Sequence, residues 1–296
     1  MKFYLNILTI LCILGVVCLF LVLIISYVEN RRLMVTRYQI KDALIPKEFN
    51  GYHIVQVSDL HNVSFGENNE ELIHRIKELQ PDIILITGDM IIGRPSEPVD
   101  IAVDTVNALS DIAPVYFSMG NHELRASLYT DVYGDMWEKF SKSLLPEVHL
   151  LLDEKTLIHK GNDKVWLYGL SLTPQMYKRL IHMPMPADYL SSLFGKCNPE
   201  EYHILMAHNP DYFEDYAAWG ANLTFSGHVH GGMIYLPLLG GVLSPMIHFF
   251  PQYDKGLFTS KNKNMILSGG LGNHTFKFRV NNLPEIVSVV LYQENI

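Results

Sequence analysis

Apolar residues dominate the N-terminus, where no charged residue occurs from Phe3 to Val28. As a helix rising about 1.5 Å per residue, this stretch is long enough to cross a hydrocarbon core of roughly 30 Å. A cleaved signal peptide is the alternative, but its apolar region would be shorter, and no A-x-A-like cleavage site occurs near Ser26. The pattern therefore favours one transmembrane helix over residues 1–28.

Five later apolar runs share one design, in which a short stretch with the length of a buried strand ends in polar residues. The runs are HIVQV before Ser58 and Asp59, DIILIT before Gly88 and Asp89, PVYFS before Gly120 and Asn121, YHILMA before His208, and ANLTFS before Gly227 and His228. Apolar residues at helical spacing predict helices near 72–79 and over 98–109. The segment 29–50, between the apolar helix and the first run, is interpreted as a juxtamembrane linker.

The alternation of strands and helices predicts an α/β domain over residues 51–296. Ligands of open α/β sheets gather beyond the carboxyl ends of the strands, where the five polar clusters fall. The runs MILSG near Leu267 and EIVSVVLY near Val289 predict a second sheet packed against the first.

Charge and cysteine content narrow the class of protein. The formal net charge of −8 argues against a nucleic-acid partner, because phosphate backbones are bound by excess Lys and Arg. Two of the three cysteines, Cys12 and Cys18, lie in the apolar N-terminus and leave Cys197 by itself, so no disulfide framework is expected in the domain. The oligomeric state stays open.

Basic residues are distributed unevenly about the apolar helix. Lys2 precedes it, whereas Arg31, Arg32, Arg37 and Lys41 follow it closely. By the positive-inside rule, the large domain is expected to face the cytoplasm.

The polar clusters bring together carboxylate, imidazole and amide groups. Their members are Asp59, His61, Asp89, Asn121, His122, His208, His228 and His230. This mixed nitrogen and oxygen set suits Mn, Fe, Zn or similar ions, and the lack of cysteine argues against a structural zinc site. In an extended segment residues i and i+2 point the same way, so Asp59 should converge with His61, and His228 with His230. The ligands exceed the need of one ion, whereas two ions sharing a carboxylate can clamp the attacking and leaving oxygens of a phosphoryl displacement.

The order DxH, GD, GNHE, lone His, GHxH resembles that of the calcineurin-like metallophosphoesterase superfamily, from about His53 to the end of the chain. HNPD after Ala207, GHVHGG and the late GGLG…FRVNNLPEI are similar to its membrane-anchored bacterial branch, commonly grouped with UDP-2,3-diacylglucosamine pyrophosphatases. The resemblance implies a four-layer αββα sandwich of two mixed sheets flanked by helices. It also implies metal-dependent hydrolysis of phosphoester or pyrophosphate bonds.

The resemblance implies roles for individual residues. Asp59, His61, Asp89 and His230 would hold one ion, and Asp89, Asn121, His208 and His228 the other, with manganese expected first and iron or zinc as alternatives. His122 is similar to the family's non-ligand histidine, which contacts the scissile phosphate and protonates or stabilises the leaving oxygen. Glu123 is expected to orient His122 or a ligand. His274 and Arg279 are weaker candidates for substrate binding at the rim of the site.

The anchor and the branch favour a phosphate-containing substrate that is lipid-linked or membrane-proximal. A broad-specificity phosphodiesterase or phosphatase is the alternative among enzymes. A catalytically idle scaffold or sensor is another class, but such proteins usually lack several ligands, and every position is filled here. The apolar stretch 236–253 is interpreted either as a loop packed under the second sheet or as a rim that meets the bilayer or a lipid tail.

Overall fold

The computed structural model describes residues 2–178, 183–232, 234–236, 239–242, 249–273 and 278–294. Its helices are α1 (Lys2–Glu29), α2 (Glu70–Leu79), α3 (Asp100–Ser110), α4 (Asn121–Leu128), α5 (Thr130–Tyr133), α6 (Met136–Lys142), α7 (Tyr189–Phe194) and α8 (Phe213–Trp219). Short 3-10 helices cover Lys47–Phe49, Glu67–Asn69, Pro174–Tyr177 and Pro210–Tyr212. The predicted helices near 72–79 and over 98–109 are confirmed as α2 and α3.

The strands follow the same order along the chain. They are β1 (Met34–Asp42), β2 (Tyr52–Val57), β3 (Ile83–Ile86), β4 (Val115–Phe117), β5 (Val148–Leu150), β6 (Glu154–Lys160), β7 (Asp163–Leu170), β8 (His203–Ala207), β9 (Leu223–Ser226), β10 (Tyr235–Leu236), β11 (Gly240–Gly241), β12 (Gly256–Ser260), β13 (Lys263–Leu267) and β14 (Glu285–Gln293). The five apolar runs of the sequence are confirmed as β2, β3, β4, β8 and β9.

Two mixed sheets of six strands each are formed by the described residues. The first has the order β1-β14-β2-β3-β4-β5, in which β14 runs antiparallel to β2 and the other pairs are parallel. The second has the order β12-β13-β9-β8-β7-β6, with a parallel centre and an antiparallel strand at each edge. The motif strands are therefore divided between the sheets, three in the first and two in the second.

The main apolar core lies between the two sheets. Ile54 and Leu85 of the first sheet pack with Ile204 and Phe225 of the second, and all four are fully buried. A second cluster joins α2, α3, α4 and α6 to the outer face of the first sheet, and a third joins α7 and α8 to the second sheet. This layering confirms the predicted αββα sandwich.

Two expectations about strand placement were wrong. Residues 34–42 were expected in a linker, but they form β1, which pairs in parallel with β14 over nine residues. The apolar side chain of Ile40 stabilises this strand, because it is buried in the core between the sheets. The EIVSVVLY run is a strand, as predicted, but β14 lies in the first sheet and not in the second. Of the two late runs only MILSG, as β13, contributes to the second sheet.

Helix α1 is long and apolar enough to cross a membrane, and its apolar side chains are exposed. Its last turn nevertheless contacts the domain. The Ser26 hydroxyl, which is buried, accepts a hydrogen bond from the backbone N–H of Arg279 at 2.9 Å, and the Glu29 carboxylate accepts one from the N–H of Asn282 at 3.4 Å. The apolar helix is therefore connected directly to the loop before β14.

The apolar stretch 236–253 is described only in part, since residues 237, 238 and 243–248 lie outside the described residues. Among the described positions Leu239, Phe249 and Phe250 are exposed, whereas Tyr253 packs against Phe213. The described residues thus show both packed and solvent-facing parts of this stretch.

Substitution in β1 tests whether that strand is part of the domain. Ile40→Ala should lower the free energy of unfolding by about 2–5 kcal/mol, because it leaves a cavity in the inter-sheet core. The matched variant Arg37→Ala, on the exposed face of the same strand, should change it by less than about 0.5 kcal/mol. Chemical denaturation of the full chain in detergent measures both, and equal effects of the two variants would contradict the placement of β1.

Candidate metal centre

The carboxyl ends of β2, β3, β4, β8 and β9 meet where the two sheets come together, and the loops that follow them carry the predicted ligands. Asp59, His61 and His230 form one group, and Asp89, His208 and His228 form another. Within each group the candidate ligand atoms lie within 4.8 Å of one another. Loops from both sheets therefore supply each group.

Asp89 lies between the two groups. Its Oδ2 atom is 3.2 Å from Nε2 of His208 and 3.8 Å from Nε2 of His61. In the first group, Oδ1 of Asp59 lies 3.3 Å from Nε2 of His230 and 3.9 Å from Nε2 of His61. Asp89 thus approaches candidate ligands of both groups, and Oδ1 of Asp59, at 3.8 Å from Nε2 of His208, also approaches the second group.

Backbone carbonyls determine which nitrogen of several histidines faces the cluster. The Nδ1 atoms of His208 and His230 lie 2.7 Å from the Thr87 oxygen and 2.9 Å from the Gly272 oxygen. A carbonyl can only accept, so Nδ1 carries the proton and Nε2 presents its lone pair to the centre. His61 has a longer contact of the same kind, at 3.4 Å, with the Ile91 carbonyl.

The contact between His61 and His230 tests whether a metal fits. Their rings are stacked at 8°, and their Nε2 atoms are 3.3 Å apart. With Nδ1 protonated in both rings, two nitrogen lone pairs face each other, which a cation bound to both would make favourable. The separation is compatible with two ligands each about 2.1 Å from one ion.

The side chain of Asn121 is second, independent evidence that a metal ion fits this site. Its side-chain Oδ1 atom is buried and has no hydrogen-bond partner among the described residues. A buried carbonyl oxygen without a donor costs about 1–3 kcal/mol, and coordination of a cation satisfies it. Together with the facing histidines, this oxygen shows that the donor set fits divalent metal ions.

Left-handed backbone conformations orient most of these side chains towards the centre. The φ angles are 55° at Asp59, 48° at His61, 54° at Asp89, 75° at His228 and 56° at His230. Asp59 converges with His61, as expected, although the expected cause, an extended segment, was wrong; His228 and His230 lie in different ligand groups. Each pair lies in a turn, where the left-handed residues direct both side chains inward.

Two glycines permit the close approach of these loops. A Cβ atom on Gly120 would overlap the Asp89 carboxylate, and one on Gly227 would overlap Ser58 and the Asp59 carboxylate. Any side chain at either position would displace a candidate ligand. The glycines of GNHE and GHVH are thus required by packing around the carboxylates.

Glu123 lies behind Asp89, fully buried. One carboxylate oxygen accepts from the N–H groups of Asp89 and Gly120, at 2.8 and 3.0 Å, and the other from Ile91 at 3.1 Å. Burial and the neighbouring Asp89 charge raise the pKa of Glu123 to about 7, against the effect of these donors. Glu123 orients the loop of a candidate ligand, which is one of the two roles the sequence left open for it.

His122 differs from the other histidines of the cluster. The Gly93 N–H donates to its Nδ1 at 2.7 Å, so Nδ1 is an acceptor and the neutral ring carries its proton on Nε2. Nε2 lies 3.8 Å from Oδ2 of Asp89. In this tautomer Nε2 has no lone pair for a metal and can donate a hydrogen bond at the centre.

Opposing electrostatic effects act on the second group. Burial lowers the pKa of His208, but the Asp89 and Asp59 carboxylates outweigh it and raise that pKa to about 9. Burial lowers the pKa of His228 well below its usual value, and the nearby His208 adds to the effect. A cation bound at this group would compete with the proton that the carboxylates favour on Nε2 of His208.

Arg279 and His274 are the two residues that the sequence predicted at the rim of the site. Arg279 is fully buried, and its guanidinium donates to the carbonyls of Gly269, Gly270, Gly272 and Asn282. The expectation that Arg279 contacts substrate at the rim was wrong, because its donors hold the loop before β14. His274 lies outside the described residues.

Two residues near the centre were not identified from the sequence. The side-chain amide of Asn282 donates to the carbonyls of His230 and Gly232, at 2.6 Å each. Asn282 lies in the motif FRVNNLPEI, which carries the family resemblance but gives no role to this residue. Tyr177 packs edge-on against the His228 ring, with centroids 5.2 Å apart. Burial raises the pKa of Tyr177 well above its usual value, and the charges of Asp89 and Glu123 add to this. No sequence signal distinguishes Tyr177 from the other tyrosines.

An αββα sandwich with buried carboxylates and imidazoles where its sheets meet is the arrangement of a metal-dependent phosphoesterase. The chain belongs to the calcineurin-like phosphoesterases, since the sequence profile of that family matches residues 52–232. The matched range contains all the candidate ligands, from Asp59 to His230.

Several relatives match most of the chain. The metallophosphoesterase YkuE of Bacillus subtilis is 28% identical over 276 residues, which cover 91% of this chain and 89% of that protein. The UDP-2,3-diacylglucosamine pyrophosphatase LpxG of Chlamydia muridarum is 25% identical, with coverage of 88% and 90%. The phosphodiesterase YaeI of Escherichia coli is 24% identical, with coverage of 81% and 82%.

Neutralising the shared carboxylate tests the geometry of the two groups. Asp89→Asn should lower metal binding at both groups, because it removes the charge between His208 and His61. The matched variant Asp59→Asn should lower metal binding most at the group that contains His230, because the Asp59 carboxylate lies 3.3 Å from His230 and 3.8 Å from His208. Metal content per chain after dialysis against Mn²⁺, with thermal unfolding to verify folding, distinguishes them. Equal metal content in the two variants would contradict the central position of Asp89.

Proposed function

We propose that the chain is a membrane-anchored phosphoesterase that binds two divalent metal ions and hydrolyses a phosphoester or pyrophosphate bond in a lipid-linked substrate. The observation that carries the proposal is the pair of ligand groups joined through Asp89, with His122 oriented as a hydrogen-bond donor beside them. Membership of the calcineurin-like phosphoesterases supports the reaction class.

Asp59, His61, Asp89 and His230 would hold one ion, and Asp89, Asn121, His208 and His228 the other. When bound, such a pair supplies Lewis-acid activation of water and of the phosphoryl oxygens. Manganese is the first candidate and iron or zinc are alternatives, because all three accept this mixed ligand set.

The charge of the centre favours an anionic substrate despite the acidic chain. The candidate ligands include two carboxylates, Asp59 and Asp89, and Glu123 adds a third behind them. Two divalent ions bring four positive charges against at most three negative ones, so the centre retains positive charge. Phosphate binding thus needs no excess of Lys and Arg.

His122 is the proposed donor to the leaving oxygen. Its Nδ1 accepts from the Gly93 N–H, which places the proton of the neutral ring on Nε2, at the atom that faces the centre. A hydrogen bond from this Nε2–H would stabilise the negative charge that develops on the leaving oxygen as the phosphorus–oxygen bond breaks, while the proton stays on the ring. The backbone N–H of His122 donates to Oδ1 of Asp89 at 2.8 Å, which fixes the distance between this donor and the candidate ligand.

The connection of α1 to the centre supports a substrate at the membrane surface. The last turn of α1 bonds to Arg279 and Asn282, and Asn282 in turn bonds to the carbonyl of His230. A helix that spans the bilayer would therefore hold the metal centre close to the lipid headgroups. The basic residues after α1 support a cytoplasmic orientation.

The relatives divide between two substrate classes. The LpxG relative is named for a pyrophosphate that carries two acyl chains, which supports the lipid-linked reading. The YaeI relative is named a phosphodiesterase, which supports broad specificity as the second candidate. The connection from α1 through Asn282 to His230 favours the first.

Removal of the His122 side chain tests the reaction. Full-length protein in detergent, stripped of metal and supplied with Mn²⁺, should hydrolyse a chromogenic phosphodiester. His122→Ala should retain its metal but lose roughly 10²- to 10³-fold in rate, the usual contribution of one placed donor to a developing oxyanion. His149→Ala, whose ring stacks on Tyr116 away from the cluster, should leave the rate unchanged. An undiminished rate in His122→Ala with an unactivated leaving group would exclude His122 as the donor to the leaving oxygen.

Acyl chains on the substrate test the substrate class. A UDP-diacylglucosamine in mixed micelles should be hydrolysed with at least about tenfold higher kcat/KM than the same compound without acyl chains, since burial of two methylene groups already contributes that much. Equal values for the two compounds would favour the broad phosphodiesterase.

A further inference from the structure

Tyr177 ends the 3-10 helix Pro174–Tyr177, which follows β7 in the second sheet. Its ring meets the His228 ring edge-on at a centroid distance of 5.2 Å and lies 6.1 Å from the His208 ring. Tyr177 therefore forms a wall of the centre beside the second group of candidate ligands, although neither the motifs nor the proposed mechanism use it.

The Tyr177 hydroxyl is buried and has no hydrogen-bond partner among the described residues. Two nearby tyrosines differ, since the hydroxyl of Tyr212 donates to the Met183 carbonyl and that of Tyr216 to the Asn209 carbonyl, at 2.8 Å each. An unpartnered buried hydroxyl is unfavourable, and at Tyr177, whose ring lies against a candidate metal ligand, a molecule bound at the centre can satisfy it.

The chemical class of that partner follows from the donor. A phenol, with an ordinary pKa near 10, is protonated at neutral pH and offers an O–H group. A metal ion does not accept a hydrogen bond, whereas an anionic oxygen does so strongly. The unsatisfied oxygen of Asn121 fits a cation, and the unsatisfied hydroxyl of Tyr177 fits an anion.

Helix α4 carries a second unsatisfied donor. It packs against the Pro174–Tyr177 helix and begins with Asn121 and His122. Arg125 lies one turn beyond Asn121, on the same face of the helix, and its buried Nε also has no partner among the described residues. Two donors without acceptors next to a cation-binding set are the arrangement expected for an oxyanion such as phosphate.

We propose that the Tyr177 hydroxyl donates a hydrogen bond to a non-bridging oxygen of the substrate phosphate and so binds and orients it beside His228. The proposal rests on the proposed phosphoesterase function and adds a substrate-binding residue to it. The alternative is a purely structural role, in which the Tyr177 ring supports His228 and the hydroxyl contributes nothing.

Tyr177→Phe separates these roles, because it keeps the ring against His228 and removes only the donor. The full-length, Mn²⁺-loaded protein in detergent should lose roughly 10- to 100-fold in kcat/KM for the chromogenic phosphodiester, as for a hydrogen bond to a charged group. The Kd for inorganic phosphate, measured by calorimetry, should rise by a similar factor. Metal content should not change.

Tyr202→Phe is the matched control. Its hydroxyl is also buried without a partner among the described residues, but Tyr202 lies in the core between the sheets. This variant should leave both kcat/KM and the phosphate Kd unchanged.

Unchanged kcat/KM and phosphate affinity in Tyr177→Phe would overturn the proposal, and so would losses that accompany loss of metal, since these indicate a structural role. The phosphate Kd distinguishes a failure of the proposed phosphoesterase function from a failure of the proposed role of Tyr177. A wild-type protein that binds phosphate but hydrolyses no ester would refute the proposed function, while the phosphate Kd of Tyr177→Phe would still decide the role of Tyr177. A wild-type protein that binds no phosphate would overturn both.

Discussion

Backbone hydrogen bonds between loops of different strands are the interaction on which the metal centre depends. The N–H groups of Asp59 and His61 donate to the carbonyls of Gly88 and Asp89, and the N–H of Gly272 donates to the Asp59 carbonyl. These bonds hold residues whose left-handed conformations each cost roughly 1–2 kcal/mol. No single loop could maintain its own geometry at that cost, so the loops maintain one another. The αββα sandwich is the framework that brings them within hydrogen-bonding distance.

The same loops hold polar atoms in unfavourable positions that a bound cation would stabilise. His61 and His230 present lone pairs to each other, and Asn121 has an oxygen without a donor. Such a site couples metal binding to the stability of the surrounding loops, because the ions bind the folded arrangement and not the unfolded chain. Glu123, behind Asp89, keeps the loop in place through three backbone N–H groups.

The coupling extends to the apolar helix. Ser26 and Glu29 bond to the loop of Arg279 and Asn282, and that loop supports His230 through the Gly272 and His230 carbonyls. A buried arginine and an asparagine thus connect the end of the helix to a candidate ligand. The sequence analysis expected Arg279 at the rim of the site. It could not show that four backbone carbonyls occupy the guanidinium.

The sequence by itself determined the local elements and the chemistry at their ends. Apolar runs that end in Asp, Asn or His predicted the motif strands, and apolar residues at helical spacing predicted α2 and α3. Both kinds of periodicity are local properties of the chain. The polar residues at the ends of the runs predicted that the candidate ligands converge. Only the tertiary structure decided which sheet each strand joins, that β1 belongs to the domain, and that Tyr177 lies beside His228. Those outcomes depend on pairing between segments far apart in the chain, such as β1 with β14, and on burial against partners that no local pattern records.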